Sequence, residues 1–191
     1  MPRKFDPRKI DVLVAPEREA ALHPKQLLES FGLKTGDTLA DIGCGPGFFT
    51  IPAAEIVGAQ GKVYAVDVQS EMIAAVMTRV ADLGLHNVEI VKASDTDVPL
   101  PDRDLDLVLM AFMLHEMPQR SLYLHRLRHT LRPAGKILIL EWEKIPTEMG
   151  PPIEDRLTPE EMTGDVSAAG YRLVQHRQIT PEHYALVIAP M

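Results

Sequence analysis

One stretch, Leu39-Ala40-Asp41-Ile42-Gly43-Cys44-Gly45-Pro46-Gly47-Phe48-Phe49-Thr50, constrains this chain more than any other. An apolar run ends at an acid, breaks into three alternate glycines and resumes as an apolar helical segment expected from about Phe48 to Val57. That order reads as a buried strand, a tight loop and a helix. Gly43, Gly45 and Gly47 lack a Cβ, so the main chain can turn sharply and a ligand can come close to it. The helix start points its unpaired N–H groups and its positive dipole end into the same crevice. An anionic or zwitterionic ligand is expected there, with the Asp41 carboxylate beside it.

A second strand, Gly61 to Val68, ends in Asp67, twenty residues past Gly47. In a strand–loop–helix–strand unit an acid at that distance can accept hydrogen bonds from both ribose hydroxyls of a nucleoside. A glycine turn alone is compatible with no ligand at all. Strand, loop, helix, strand and acid in register argue for a nucleoside site.

A chain of 191 residues, 46% of them hydrophobic, is long enough to bury its own core as one domain. We expect a single unit over 1–191, an amino-terminal arm and helical cap over 1–36 and an α/β core over 37–191. No apolar run approaches the roughly 18 residues of a membrane span, and the basic start lacks the apolar stretch of a secretory signal. A cytoplasmic location is the expectation. The net charge of −7 repels polyanions, and no basic stripe interleaved with aromatics offsets it, so nucleic acid is not expected as a partner. Cys44 is the only cysteine, which excludes an internal disulfide and a cysteine-based metal cluster.

The first sixteen residues, with Pro2, Pro7 and Pro16, read as an extended arm or lid. From Pro16 to Phe31, Pro24 divides two short helices that either cover the crevice or pack beneath the sheet. A helix over Ser70–Leu83 sets Met72, Val76 and Val80 toward a core. Strands are expected over Asn87–Lys92, Leu105–Met110 and Lys136–Trp142. Their carboxyl ends put Ser94, Asp95, Met110, Ala111, His115, Glu116, Glu141 and Trp142 on the rim that carries Asp41 and Asp67. A helix is expected from Gln119 to Leu131. Within it His125 and His129 have the spacing of a metal pair, but arginines surround them and no carboxylate ligand is near, so no metal is expected. Lys144 to Leu157 reads as a mobile loop on the substrate side. Thr158-Pro159-Glu160-Glu161 is a helix start, and the strands Tyr171–Gln178 and Tyr184–Ala189 form an antiparallel hairpin.

In LADIGCGPGFFT, VYAVDV, VKASDTDVPLPDRDLDLVLM and LRPAGKILILEWE the chain resembles the class I S-adenosylmethionine-dependent methyltransferases, in particular their ubiquinone/menaquinone methyltransferase-like branch. The resemblance spans nearly the whole chain. It implies an α/β, Rossmann-like fold: a seven-stranded, mostly parallel sheet with helices on both faces and an antiparallel carboxyl-terminal hairpin. It implies S-adenosylmethionine as cofactor and a small-molecule methyl acceptor. Asp41, Gly43, Cys44, Gly45 and Gly47 would then line the methionine part and Asp67 would hold the ribose. Val68 and Met72 would flank the adenine, Ser94 and Asp95 would meet its edge, and Met110 with Ala111 would close the floor. The arsenite methyltransferases share the pattern but depend on cysteines this chain lacks. If the acceptor must lose a proton, His115 is the rim residue whose ordinary pKa suits a base. Two other classes share the βαβ logic. A nicotinamide-dependent oxidoreductase wants G-x-G-x-x-G where this loop is G-x-G-x-G, and a non-catalytic nucleoside-binding module would need no substrate-side loop.

Overall fold

The computed structural model describes residues 5–94 and 98–191. Seven strands form one sheet in the order β3-β2-β1-β4-β5-β7-β6. They are β1 (Thr38–Ile42), β2 (Lys62–Asp67), β3 (Val88–Lys92), β4 (Leu105–Ala111), β5 (Leu131–Trp142), β6 (Tyr171–Thr180) and β7 (His183–Pro190). The first five run parallel, and β7 lies antiparallel between β5 and β6. The order reverses between β1 and β4, which leaves a crevice outside their carboxyl ends, where ligands of open α/β sheets bind.

Alternate residues of each central strand serve opposite faces. Ala40, Ile42, Val66, Val108, Met110 and Ile139 share a core with Leu124 and Leu127 of α5 (Arg120–Leu127) and Met162 and Val166 of α6 (Pro159–Ala168). Leu39, Val63, Leu109 and Leu138 face Leu27 and Leu28 of α2 (Pro24–Ser30) and Ala53 and Val57 of α3 (Thr50–Val57). On that second face, α4 (Ser70–Asp82) packs Val76 and Val80 against Ala65 and Ile51. Burial on both faces is why β1 and β4 read as continuous apolar runs. The start of α6 is a capping box, Thr158 Oγ1 accepting from the Glu161 N–H at 3.2 Å and Glu161 from the Thr158 N–H at 2.8 Å.

Four expectations are corrected. The arm is coiled, not extended: Pro7–Val14 forms 3-10 turns capped by Asp6, which accepts from the Arg8 N–H. Helix α3 begins at Thr50 instead of Phe48, because the glycine turns continue through Phe49. The helix expected to reach Leu131 ends at Leu127, and β5 starts at Leu131 instead of Lys136. A register shift after Leu105 takes up Arg132–Gly135, and a Cβ at Gly135 would lie 2.6 Å from the Leu105 carbonyl. Finally, the stretch expected as a mobile loop is organised around Arg156, which is 3% exposed. Its guanidinium donates to the carbonyls of Glu143, Ile145, Met149 and Pro151.

The amino-terminal helices divide the two roles left open for them. Helix α2 packs on the sheet, α1 (Pro16–Leu22) does both, burying Leu22 in the same core and setting Arg18 over Phe48, and the 3-10 turns bring Leu13 in reach of Gly45.

Candidate active site

The glycine loop is pinned before it can meet a ligand. The N–H groups of Gly43 and Cys44 both donate to the Val66 carbonyl, at 2.8 and 3.0 Å, so the loop folds back on β2. Gly47 has φ +87°, and a Cβ there would come within 2.8 Å of Val76 Cγ2 on α4. That close approach between loop and helix requires glycine. Cys44 is buried, and burial raises its thiol pKa well above the ordinary value, which makes it a small packing residue, not a nucleophile.

Two of the three acids predicted for the cofactor, Asp41 and Asp67, stand at the crevice. Asp41, 2% exposed at the end of β1, accepts a 2.6 Å hydrogen bond from Thr50 Oγ1. Burial pushes its pKa up to about 7, the Thr50 hydroxyl opposes the rise and the Asp67 charge adds to it. Asp67 accepts from the Gly45 N–H at 3.0 Å and the Gln69 N–H at 2.8 Å. It therefore ties the loop to β2, a role its sequence position did not disclose. Burial also raises its pKa, against those same hydrogen bonds. Val68 follows Asp67 at the strand end, Met72 on α4 is 1% exposed, and at the end of β4 Met110 is wholly buried on one face of the sheet while the half-buried Ala111 turns to the other. Ser94 is exposed just past β3, and Asp95 lies outside the described residues.

Across the crevice, the ends of β4 and β5 bring His115 and Glu141 together. His115 Nδ1 lies 2.9 Å from Glu141 Oε2, and the His115 backbone N–H donates to Oε1 at 3.2 Å. The residues are 8% and 1% exposed. A carboxylate partner makes Nδ1 the protonated nitrogen and leaves the Nε2 lone pair free. Burial opposes the charged imidazolium, but the charge and hydrogen bond of Glu141 outweigh it and leave the His115 pKa above its ordinary value. Glu116 lies 4.0 Å from Nε2, and burial lifts its pKa to about 7.

Besides Trp142, expected on the rim at the end of β5, residues converge here that sequence reasoning did not single out. Phe112, at φ +58°, turns its ring to 5.1 Å from His183, which lies 4.2 Å from Trp142. A non-glycine in that conformation is uncommon and stores strain at the rim. Burial holds His183 neutral, lowering its pKa to about 4. Arg18 on α1 sits over the rings of Phe48 and Phe112 at 4.3 and 5.3 Å. Phe5 bridges the crevice, its carbonyl accepting from Gln69 Nε2 at 3.3 Å and its N–H donating to Glu116. No local pattern marks these residues, because only the fold brings them together.

Comparison with known proteins agrees with this geometry. A family model described as "Methyltransferase domain" matches residues 39–135, from β1 into β5. The ubiquinone/menaquinone biosynthesis C-methyltransferase of Pseudomonas savastanoi pv. phaseolicola is 34% identical over 118 residues, covering 61% of this chain and 46% of that protein. The demethylmenaquinone methyltransferase of Geobacillus stearothermophilus is 31% identical over 126 residues, 66% and 53% of the two chains. This chain thus spans about half the length of the curated relatives it matches. The crystal structure of a SAM dependent methyltransferase from Aquifex aeolicus superposes with a TM-score of 0.93 at 36% identity, covering 97% of this chain and 98% of that one. With the family model, the loop and acids at the switch point and a solved relative aligned end to end, the chain belongs to the S-adenosylmethionine-dependent methyltransferases.

Proposed function

We propose that the chain moves a methyl group from S-adenosylmethionine to a small, ring-bearing acceptor held at the His115–Glu141 end of the crevice. The observation that carries this reading is the buried His115 imidazole, fixed by Glu141 and facing the same opening as Asp41 and Asp67.

The residues present fit the cofactor. Asp41 suits an ammonium group, the loop glycines admit a ligand to the main chain, and Asp67 keeps lone pairs beyond its two backbone bonds for ribose hydroxyls. We read Val68 and Met72 as flanking the adenine and Ser94 as meeting its edge, together with Asp95, which lies outside the described residues. When bound, the sulfonium supplies an already activated methyl group. The protein's share is to align an acceptor with it and to keep water out. Phe112, Trp142 and His183 wall the acceptor side with ring faces, and Phe5 closes the top.

His115 then takes a proton through Nε2 from an acceptor hydroxyl or an acidic ring carbon, and Glu141 steadies the imidazolium that forms. Glu116, with its pKa near 7, is partly protonated at neutral pH and can donate a hydrogen bond to an acceptor oxygen. Relatives named for ubiquinone/menaquinone biosynthesis and for demethylmenaquinone support a ring acceptor bearing such an oxygen. Among the described residues no helix is long and apolar enough to cross a membrane. We place the reaction in the cytoplasm, in a single catalytic unit over 1–191.

The test is methyl transfer from labelled S-adenosylmethionine to a panel of reduced naphthoquinones, phenols and cell extract, with the labelled product identified. His115→Ala should lower turnover about 10²–10⁴-fold and leave binding of S-adenosylhomocysteine nearly unchanged. Full activity in that variant would remove His115 from the chemistry.

A further inference from the structure

Arg18 is a cation beside the glycine loop that the proposed chemistry leaves without a role. It is carried by α1, outside the sheet. Its guanidinium covers Phe48, which follows the glycine loop, and Phe112, which follows β4, so it spans the point where β1 and β4 part. Its Nη1 donates to the Leu13 carbonyl at 2.7 Å. That is the guanidinium's only hydrogen bond among the described residues, and it makes no ion pair there. The exposed or partly exposed Arg8, Arg120 and Arg132 all pair with acids. Arg18 keeps only a fringe of its surface in solvent, and enough protein packs round it for burial to lower its pKa to about 10. Asp41 is the acid that attracts it, from beyond hydrogen-bonding distance.

A guanidinium enclosed against two aromatic faces with forked donors unspent is made for a carboxylate. We propose that Arg18 anchors the methionine carboxylate of the cofactor, so that cofactor binding and the seating of residues 5–18 over the crevice are one event. The proposal rests on the cofactor reading above. Asp41 near the end of β1 and Arg18 over Phe48 bring opposite, mutually attracting charges to the glycine loop, which matches an α-amino acid: ammonium to Asp41, carboxylate to Arg18. The match also explains why the anchor lies on the arm. The turns over Pro7–Val14 bury no residue of their own, and Arg18 holds them through Leu13. A carboxylate that fixes the guanidinium also fixes Leu13, whose methyl reaches 3.5 Å from where a Gly45 Cβ would stand.

Calorimetry with two nucleosides tests this. S-adenosylmethionine carries the carboxylate, whereas decarboxylated S-adenosylmethionine keeps the sulfonium and the ammonium and lacks it. The wild-type protein should prefer the first by about 10- to 100-fold. Arg18→Gln should remove that preference by weakening the first and sparing the second, and Arg18→Lys should restore part of it. Tryptic cleavage at Arg8 and Lys9 gives a readout independent of affinity. S-adenosylmethionine should slow it in the wild type but not in Arg18→Gln, and the decarboxylated compound should slow it in neither. Equal loss of both nucleosides in Arg18→Gln would overturn the proposal and make Arg18 a structural residue. If that variant does not fold, equal wild-type affinity for the two nucleosides would overturn it as well. A wild-type protein that binds neither would instead defeat the cofactor reading on which the proposal stands.

Discussion

Asp41→Asn is the substitution for which the structure makes the sharpest demand. The carboxyl is 2% exposed, and burial is the main reason its pKa rises from 3.8 to about 7. At about 1.36 kcal/mol per tenfold change, that gap is at most about 4 kcal/mol. Local relaxation reduces the figure, and about 2 kcal/mol is the expected size. The sign follows from proton binding. Between pH 4 and pH 7 the native state keeps the Asp41 proton while the unfolded chain has lost it, so the free protein loses stability as pH rises through that window. Asparagine has no charge to bury and can still accept from Thr50. The variant should therefore melt above the wild type at pH 8, by roughly 4–8 °C at about 2–4 °C per kcal/mol for a chain of this size. The advantage should shrink toward pH 4.5.

Binding should move the other way, because a neutral asparagine amide cannot form an ion pair with an ammonium. S-adenosylhomocysteine should raise the melting temperature of the wild type and leave that of Asp41→Asn nearly unmoved. Scanning fluorimetry at pH 4.5, 6 and 8, with and without ligand, reads both effects. A variant that melts at or below the wild type at pH 8, with no narrowing on acidification, would refute the view that Asp41 is a strained, functional carboxyl. A functional group that lowers the stability of the free protein is the usual trade between activity and stability.

Asp67→Ala should lose cofactor affinity at least tenfold and also melt lower, because the Gly45 and Gln69 N–H groups lose a charged acceptor, at about 1.5–3 kcal/mol for such bonds; calorimetry and a melt separate the two. Gly47→Ala should destabilise more than Gly45→Ala, since a Cβ meets Val76 at 2.8 Å in the first and only Leu13 at 3.5 Å in the second. Both carry left-handed strain of roughly 1–2 kcal/mol, so equal melting temperatures would count against the loop geometry. Once an acceptor is known, the rate should rise with pH through a midpoint above 6.5, because His115 must shed its proton to act as base. Glu141→Gln removes the main cause of that elevation, leaves only the weaker pull of the Glu116 and Asp155 charges against burial and should move the midpoint down; an unmoved midpoint would take the pair out of catalysis.

The parallel half of the sheet was legible because strands buried on both faces leave apolar runs that nothing else explains, as in Leu105–Met110. Asp41 and Asp67 were legible because the βαβ unit fixes both at strand ends. The start of β5 was hidden by Pro133 and Gly135, which read as a turn but sit in an irregular strand that needs glycine where it passes the Leu105 carbonyl. The coiled arm was readable in part: Asp6-Pro7 is a cap followed by a proline at the first helical position, overlooked among so many prolines. The loop after β5 read as mobile because its anchor, Arg156, works through backbone carbonyls, which carry no sequence signal. The convergence of Arg18, Phe112 and His183 is a property of the folded chain alone.

How a ligand enters a crevice so enclosed follows from which part of its wall yields most easily. The floor is the central sheet, where Leu39, Ala40, Leu109 and Met110 are wholly buried, and opening it means breaking the core. The roof is different. Among the described residues, the segment from Phe5 to Val14 is tied to the rest by the hydrogen bonds Gln69–Phe5, Phe5–Glu116 and Arg18–Leu13 and by the partial packing of Leu13 and Val14. At about 1 kcal/mol net for each such bond, lifting it costs about 3–5 kcal/mol. That sets an open fraction on the order of 10⁻²–10⁻⁴, enough for exchange on a catalytic timescale. Hydrogen exchange gives the check. Amides of residues 8–14 should exchange far faster than those of Leu109 and Ile139, and more slowly once S-adenosylhomocysteine is bound. Protection of the arm equal to that of the sheet would mean that the roof is fixed and that ligands enter elsewhere.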